Sequence, residues 1–484
     1  MLDPGDVASL RAIVGDAGVI EAHAELRTYE TDGLMAYRQM PELVVLPTTT
    51  EQVRDVVRIC HREGIPFVPR GSGTGLSGGA LPVAEGIVIS LARMQSILDV
   101  DLANHRTVVQ PGVLNLWITQ RVAPHGFYYA PDPSSQQVCS IGGNVAENSG
   151  GAHCLKYGFT VNHVLGLTVV LADGEVVQVG GRTLDAPGYD LTGIIVGSEG
   201  TLAIATEIVV RIVHKPEAVK TTLASFETTD AAGEAVSGII GAGIVPAAIE
   251  MMDRLAIQAA EAAVHANYPL DVGAVLLVEL DGPSTEVEGL QGRVEDICRQ
   301  SGALEIRIAR TDEERALMWK GRKAAFAAMG RVSPDYIVQD GVIPRTALPE
   351  VLREIETLSR DYGLRVANVF HAGDGNLHPL VCYDGREEGA EERAEELAGE
   401  IIHLCVEHGG SITGEHGVGM DKRRHMPAMF TAADMNTHQL IRCAFNPTNL
   451  CNPGKVYPTP RLCGEVPGKY RPHPLETAGI AERF

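Results

Sequence analysis

The residues best suited to chemistry lie in two glycine-rich stretches, Val369-Phe370-His371-Ala372-Gly373-Asp374-Gly375-Asn376-Leu377-His378-Pro379 and Gly414-Glu415-His416-Gly417-Val418-Gly419. On one continuous strand, a spacing of seven would send His371 and His378 to opposite faces. Gly373-Asp374-Gly375 reads instead as a turn that pairs apolar Val366 to Phe370 with Leu380-Val381, so the two imidazoles face each other across a hairpin. Two facing imidazoles and one carboxylate, for which Glu415 is the candidate, make a common triad for zinc, iron or manganese with a position open to substrate. Spacing alone leaves a second reading standing, in which the histidines are hydrogen-bonded within a core. Arg322 lies in a locally basic helix, LMWKGRK over 317–323. Its guanidinium suits bidentate capture of a carboxylate, or it is a solvated helix cation. Asn376 reads equally as a substrate contact or a turn residue.

Such side chains need a scaffold, and its clearest signature is Arg70 to Ala80, RGSGTGLSGGA. Five of these eleven residues are glycine, a residue kept where backbone must approach a ligand closely or adopt φ > 0. Gly73, Gly75 and Gly78 satisfy G-x-G-x-x-G, but a dinucleotide fingerprint should open a helix. Here Leu81-Pro82 and an apolar strand over 87–91 follow, and no Gly-Lys-Ser/Thr ending marks a P-loop. The stretch therefore reads as an anion-binding nest between that strand and Ile65 to Val68. A second patch, Pro131 to Gly151 (PDPSSQQVCSIGGNVAENSGG), reads as another ligand-wrapping loop rather than a core element. Two such loops predict a long ligand held at several points.

Composition limits the partners. A length of 484 residues predicts two or three domains. Sixty-two acidic against 40 basic residues give a net charge of −22, which repels nucleic acid and anionic lipid and leaves an anionic substrate dependent on a local cation cluster. No apolar run approaches the ~18 residues of a spanning helix, and the amino-terminal residues lack the basic and apolar regions of a leader, which predicts a cytoplasmic protein. The nine cysteines are odd in number and include no C-x-x-C, which predicts buried free thiols and no iron–sulfur cluster.

Along the chain, residues 5–27 read as helical and 41–47 as a strand. A helix over 52–63, a hairpin over 164–179 with an Asp-Gly turn and a strand over 207–213 complete an α/β first half. Beyond 216 the sequence alternates strands (276–280, 304–309) with Ala/Glu-rich helices (253–266, 285–301, 312–329, 346–362, 386–408), which suits a cap laid over the ligand.

Arg70 to Ala80, then PDP…IGGNVAENSGG, then Tyr189 to Thr206 (YDLTGIIVGSEGTLAIAT) resemble, in that order, the FAD-binding domain of the vanillyl-alcohol oxidase / p-cresol methylhydroxylase superfamily. The resemblance implies an α+β protein. An N-terminal helical segment would span 1–36, a two-subdomain PCMH-type FAD-binding domain 37–215, a cap domain 216–457 and a tail 458–484. It also implies that Arg70, Gly71, Ser72, Gly73, Thr74, Gly75, Leu76, Gly78, Pro131, Ile141, Gly142, Gly143, Asn144, Asn148, Gly151, Gly200, Ile204 and Asn452 line FAD. Thr74 stands where some relatives tether the flavin through histidine, which implies non-covalent FAD.

HAGDGNLHP, GEHGVG and Asn452-Pro453-Gly454-Lys455 resemble the FAD-linked oxidase C-terminal domain of D-2-hydroxy-acid dehydrogenases. That group includes D-lactate and D-2-hydroxyglutarate dehydrogenases and the FAD subunit of bacterial glycolate oxidase. By resemblance, His371, His378 and Glu415 bind a divalent ion (Zn, Mn or Fe), His416 removes the substrate's hydroxyl proton and Arg322 holds its carboxylate. The lysine that D-2-hydroxyglutarate relatives use for a distal carboxylate has no counterpart in Tyr336-Ile337-Val338-Gln339-Asp340-Gly341, which favours glycolate or D-lactate. The tail residues Arg461-Leu462-Cys463 and Ala481 to Phe484 look like those of the glycolate oxidase subunit. Electrons would then pass to an iron–sulfur partner and a second flavin subunit, or to a quinone or dye, with membrane contact only through partners. Two other functions stand beside this one. Alkyl-dihydroxyacetone-phosphate synthases use the same flavin domain for ether-bond chemistry, but this chain lacks a terminal peroxisomal signal and pairs its histidines differently. An inactive flavin-holding subunit would not need both HAGDGNLH and GEHG.

Overall fold

Continuous apolar runs at Leu43–Val45, Phe67–Arg70 and Ile87–Ser90 form a sheet buried on both faces, as parallel strands require. The computed structural model describes residues 2–183, 188–458 and 463, so most of the tail motif lies outside the described residues. In this first sheet Ile87–Ser90 lies between the other two, parallel to both, with Val19–Ile20 antiparallel at the edge. The glycine loop therefore joins two parallel strands, which a tight hairpin cannot do. Helix Thr50–Glu63 packs Val53, Val56, Val57 and Cys60 into this core; Thr49 Oγ1 caps it by accepting from Gln52 N–H (3.2 Å), and Gly64 at φ 68° ends it.

A second sheet is wholly antiparallel, in the order Ile97–Asp101, Arg106–Val109, Ala203–Arg211, Val164–Leu171, Val176–Gly180. The two sheets make the two subdomains of the first half. Between them runs Pro131 to Gly151, where the structure corrects the expectation of a loop. Ile141–Glu147 is a helix with Ile141, Asn144 and Val145 buried at helical spacing. One of its two glycines is required by packing: a Cβ on Gly142 would lie 2.5 Å from Pro111 Cβ. The single helix expected over 5–27 is also corrected. Helix Pro4–Val14 stops at Gly15 (φ 78°), and a short strand and a one-turn helix follow.

The second half is built on a large antiparallel sheet whose inner strands run Ala218–Phe226, Ala274–Gly282, Ala248–Asp253 and Arg365–His371. Residues alternate between its faces. Ala224, Leu276, Val278, Ile249 and Met251 pack under helices Thr229–Gly241, Ser284–Gln300 and Leu348–Tyr362. Leu223, Val275, Leu277, Ala248, Met252, Ala367 and Val369 pack under Arg254–Val264 and Asp312–Ala328. That second face is interrupted at Glu250, Glu279 and His371, each buried among apolar neighbours of its strand.

The expected histidine hairpin forms. Arg365–His371 pairs with Pro379–Tyr383, and His371 lies opposite Asn376. The cysteine expectation holds for the seven buried free thiols but not for the remaining two, because Cys443 and Cys463 are joined as a disulfide.

Candidate active site

The glycine loop and the cap meet at a cavity of about 890 Å³, the size of an ordinary cofactor or substrate site. One wall is backbone. Residues 70–76, Gly142, Gly143, Asn144, Gly200 and Ile204 line it, all expected to do so, together with Gly79, Pro133, Ser140, Glu147 and Glu199. Gly78, Pro131, Ile141, Asn148, Gly151 and Asn452 are not among its lining residues. Ile141 is fully buried in the second-sheet core, and Asn452 donates from Nδ2 to the Gly79 and Glu199 carbonyls (2.9 and 2.6 Å). The wall is pulled close by small residues: a Cβ on Gly71 would lie 2.3 Å from Ser140 Oγ.

The opposite wall is ionisable. His371, His378, Glu415 and His416 all reach the cavity, from a hairpin and from a loop some forty residues later. The His371 and His378 rings stand perpendicular, with centroids 5.2 Å apart. Glu415 Oε1 lies 3.5 Å from His371 Nε2 and 3.1 Å from His378 Nε2. Metal bonds of ~2.0–2.2 Å at tetrahedral angles separate neighbouring ligand atoms by roughly 3.4 Å. Both ring nitrogens of His378 are buried without an aligned hydrogen bond, so the donor set fits a divalent ion in both chemistry and spacing. Burial opposes ionisation of Glu415, but the two histidines hold its carboxyl well below the usual range.

Asp340 assembles the second loop. Its Oδ2 accepts from Thr413 Oγ1 (2.6 Å) and from the amides of Gly414 (2.9 Å), Glu415 (3.1 Å) and His416 (2.9 Å), with Lys422 Nζ 3.3 Å away. One carboxylate thereby fixes the backbone that carries both Glu415 and His416, which is the use of a backbone nest. Burial pushes the His416 imidazole down to about 4, so it is neutral at pH 7 and able to accept a proton, and its Nδ1 is buried without a partner.

Arg322 and Asn376 are not among the residues that line the cavity. Arg322 is 3% exposed, its Nη2 2.6 Å from Glu250 Oε2. Asn376 is buried against the second loop, where a Cβ on Gly414 would meet its amide at 2.7 Å. The sequence motifs missed Asp340, Glu250 and Lys422, and also Lys323 and Phe326, which do line the cavity. A charged residue inside an apolar strand, as in Ala248–Asp253 (AIEMMD), is the one signal that could have found Glu250.

The two halves are pinned together by polar contacts. His153 Nδ1 lies 2.8 Å from Asp132, and its Nε2 lies 3.2 Å from Glu279 of the cap sheet. Glu279 also accepts two bonds from Arg315 (2.9 and 2.8 Å) and one from Trp319 Nε1 (2.6 Å). Burial alone would lower the His153 pKa, but Asp132 and Glu279 raise it to about 10. Val418 and Gly419 donate their amide hydrogens to Glu199 (2.7 and 2.6 Å). No described helix is long and apolar enough to cross a membrane.

Comparisons with known proteins agree with this architecture. Residues 41–180 match the family "FAD binding domain", and residues 215–456 match "FAD linked oxidases, C-terminal domain". The chain is 51% identical to glycolate oxidase subunit GlcD of Escherichia coli K12, over 98% of this chain and 95% of that protein. It is 32% identical to a D-lactate dehydrogenase of Anaerostipes hadrus, over 93% and 95%. The fold resembles a structure of p-cresol methylhydroxylase with a TM-score of 0.79 at 18% identity, covering 94% of this chain and 97% of that one. The chain therefore belongs to the FAD-linked oxidases, with an FAD-binding domain followed by the C-terminal domain of that family.

Proposed function

We propose that the protein oxidises a small 2-hydroxy acid, glycolate or D-lactate, to the 2-oxo acid with non-covalent FAD and a divalent ion held by His371, His378 and Glu415. The observation that carries this reading is the convergence of the glycine cradle with these three residues and His416 on a single cavity. FAD supplies a two-electron acceptor for the C2 hydride, and the ion supplies positive charge beside the forming alkoxide.

The remaining work falls to the chain. An alcohol is too weak an acid to ionise unaided, and a neutral buried imidazole such as His416 accepts its proton, a contribution typically worth ~10²- to 10⁴-fold. Arg322 holds the substrate carboxylate: its buried Nε and Nη2 have no aligned hydrogen bond, and a carboxylate would satisfy such donors in bidentate fashion. Asn376, against the His416 loop, helps to hold substrate. Thr74 in the cavity wall offers no imidazole for a covalent link to flavin. Tyr336, Ile337 and Val338 line the cavity without a cation, which supports a short substrate. The likeness to a protein named as a glycolate oxidase subunit supports assembly with partner subunits; in this reading the electrons pass to an iron–sulfur partner and a second flavin subunit, or to a quinone or dye, in a cytoplasmic complex with membrane contact only through partners.

The test is anaerobic mixing of flavin-loaded protein with glycolate, D-lactate, L-lactate and D-2-hydroxyglutarate while flavin absorbance is followed. Bleaching by glycolate or D-lactate is expected. No bleaching by any of the four would overturn the proposal.

A further inference from the structure

Glu250 sits in the middle of an apolar strand and is 1% exposed. A carboxylate at that depth is costly unless its charge is compensated, so its partners show what it serves. Its Oε1 lies 2.7 Å from His371 Nδ1 in an aligned hydrogen bond. Its Oε2 lies 2.6 Å from Arg322 Nη2. Strand register dictates the first contact, because Glu250 is directly opposite His371 and both side chains share a face. The second comes from helix Asp312–Ala328, which packs on that same face.

The two contacts differ in kind. With Nδ1–H committed to Glu250, the His371 ring is fixed and its Nε2 is turned toward Glu415. At Arg322 the charges are close but misaligned. Glu250 Oε2 and Arg322 Nε and Nη2 are all buried without an aligned hydrogen bond. The guanidinium charge is thus balanced while its Nε and Nη2 donors lack an aligned acceptor.

We propose that Glu250 is a positioning residue serving two sites at once: it orients His371 as a metal ligand, and it restrains Arg322 until an anion arrives. The proposal rests on the roles given above to the ion and to Arg322. One carboxylate acting on both gives effects of opposite sign. Glu250→Gln keeps the shape and removes the charge. It weakens metal binding by ~10- to 100-fold, as loss of a ligand's outer partner generally does. It also tightens anion binding at Arg322, on the order of tenfold, because a competing negative charge is gone. General damage to the site would weaken both.

The experiment uses full-length, FAD-loaded wild-type and Glu250→Gln protein stripped of metal by a chelator. Mn²⁺ alone is titrated by calorimetry, and pyruvate alone by the perturbation it causes in the oxidised flavin spectrum. Weaker Mn²⁺ with tighter pyruvate is the expected result. Unchanged Mn²⁺ affinity, or parallel weakening of both ligands, would overturn the proposal. A wild-type protein that binds pyruvate but no Mn²⁺ would overturn the ion itself, and the wild-type titration alone reveals it. If the glutamine variant does not retain FAD, Glu250→Asp decides. It keeps the charge but shortens the reach, so weaker Mn²⁺ with unchanged pyruvate is expected, and wild-type affinity for Mn²⁺ would contradict the proposal.

Discussion

The two walls of the cavity are built by opposite means. From Arg70 to Leu76 and again at Gly142 and Gly143, the chain meets the cavity with backbone and hydroxyls, brought close because side chains are missing. Across from them, His371, His378, Glu415 and His416 meet it with ionisable groups, and three of these are held from behind: His371 by Glu250, and Glu415 and His416 through their backbone amides, from which Asp340 accepts. A backbone cradle grips a large ligand whose chemistry is its own. On the proposed reading, the ionisable wall supplies what that ligand lacks, namely charge and a proton acceptor. Damage to the first should therefore cost cofactor, and damage to the second should cost rate.

The largest expected effect is on the ionisable side. Removing the proposed divalent ion with a chelator should slow substrate-driven flavin bleaching on the order of 10³-fold or more while FAD stays bound. Bleaching that ignores the chelator would take the ion out of the account and leave His371, His378 and Glu415 as a hydrogen-bonded cluster. Arg322→Lys keeps a charge but loses the planar fork. It should lower kcat/KM by about ten- to a hundredfold at unchanged FAD content, and a wild-type value would remove Arg322 from substrate binding.

Smaller effects belong to the cradle and to the pin between the halves. In Gly142→Ala the new methyl meets Pro111, a rigid neighbour, at a cost of about 1–3 kcal/mol. Thermal midpoint and FAD retention should fall, yet the bleaching rate per bound FAD should not. A slowed rate at full FAD occupancy would erase the contrast between the walls. His153 is the mildest case. Its folded pKa of about 10 lies above its ordinary value of 6.5, so its stabilisation is complete below that ordinary value and is lost as pH rises through the folded one. His153→Gln should lower the thermal midpoint at neutral pH, and the gap to wild type should close near pH 10. A gap independent of pH would mean that His153 acts through packing alone.

The contrast also accounts for what the sequence revealed. A cradle made of backbone is written contiguously, because its glycines must be neighbours, and so RGSGTGLSGG announced both itself and the absence of a following helix. The histidine hairpin was legible for the same reason, since Gly373-Asp374-Gly375 places the turn between His371 and His378. The groups behind the ionisable wall were not. Glu250 is 121 residues from His371 and Asp340 is 76 from His416, so only sheet register and loop closure bring them together. Gln339-Asp340-Gly341 carries no sequence signal beyond the lysine it lacks. Ile141–Glu147 reads as loop in the sequence because its glycines outweigh the helical spacing of Ile141, Asn144 and Val145.

His416→Asn separates the two walls most directly, because the residue stands on the ionisable wall at the proposed point of proton transfer. Anaerobic stopped-flow mixing of the FAD-loaded variant with glycolate or D-lactate should show full flavin occupancy and bleaching slowed by ~10²- to 10⁴-fold. Full occupancy with bleaching at the wild-type rate would contradict the account.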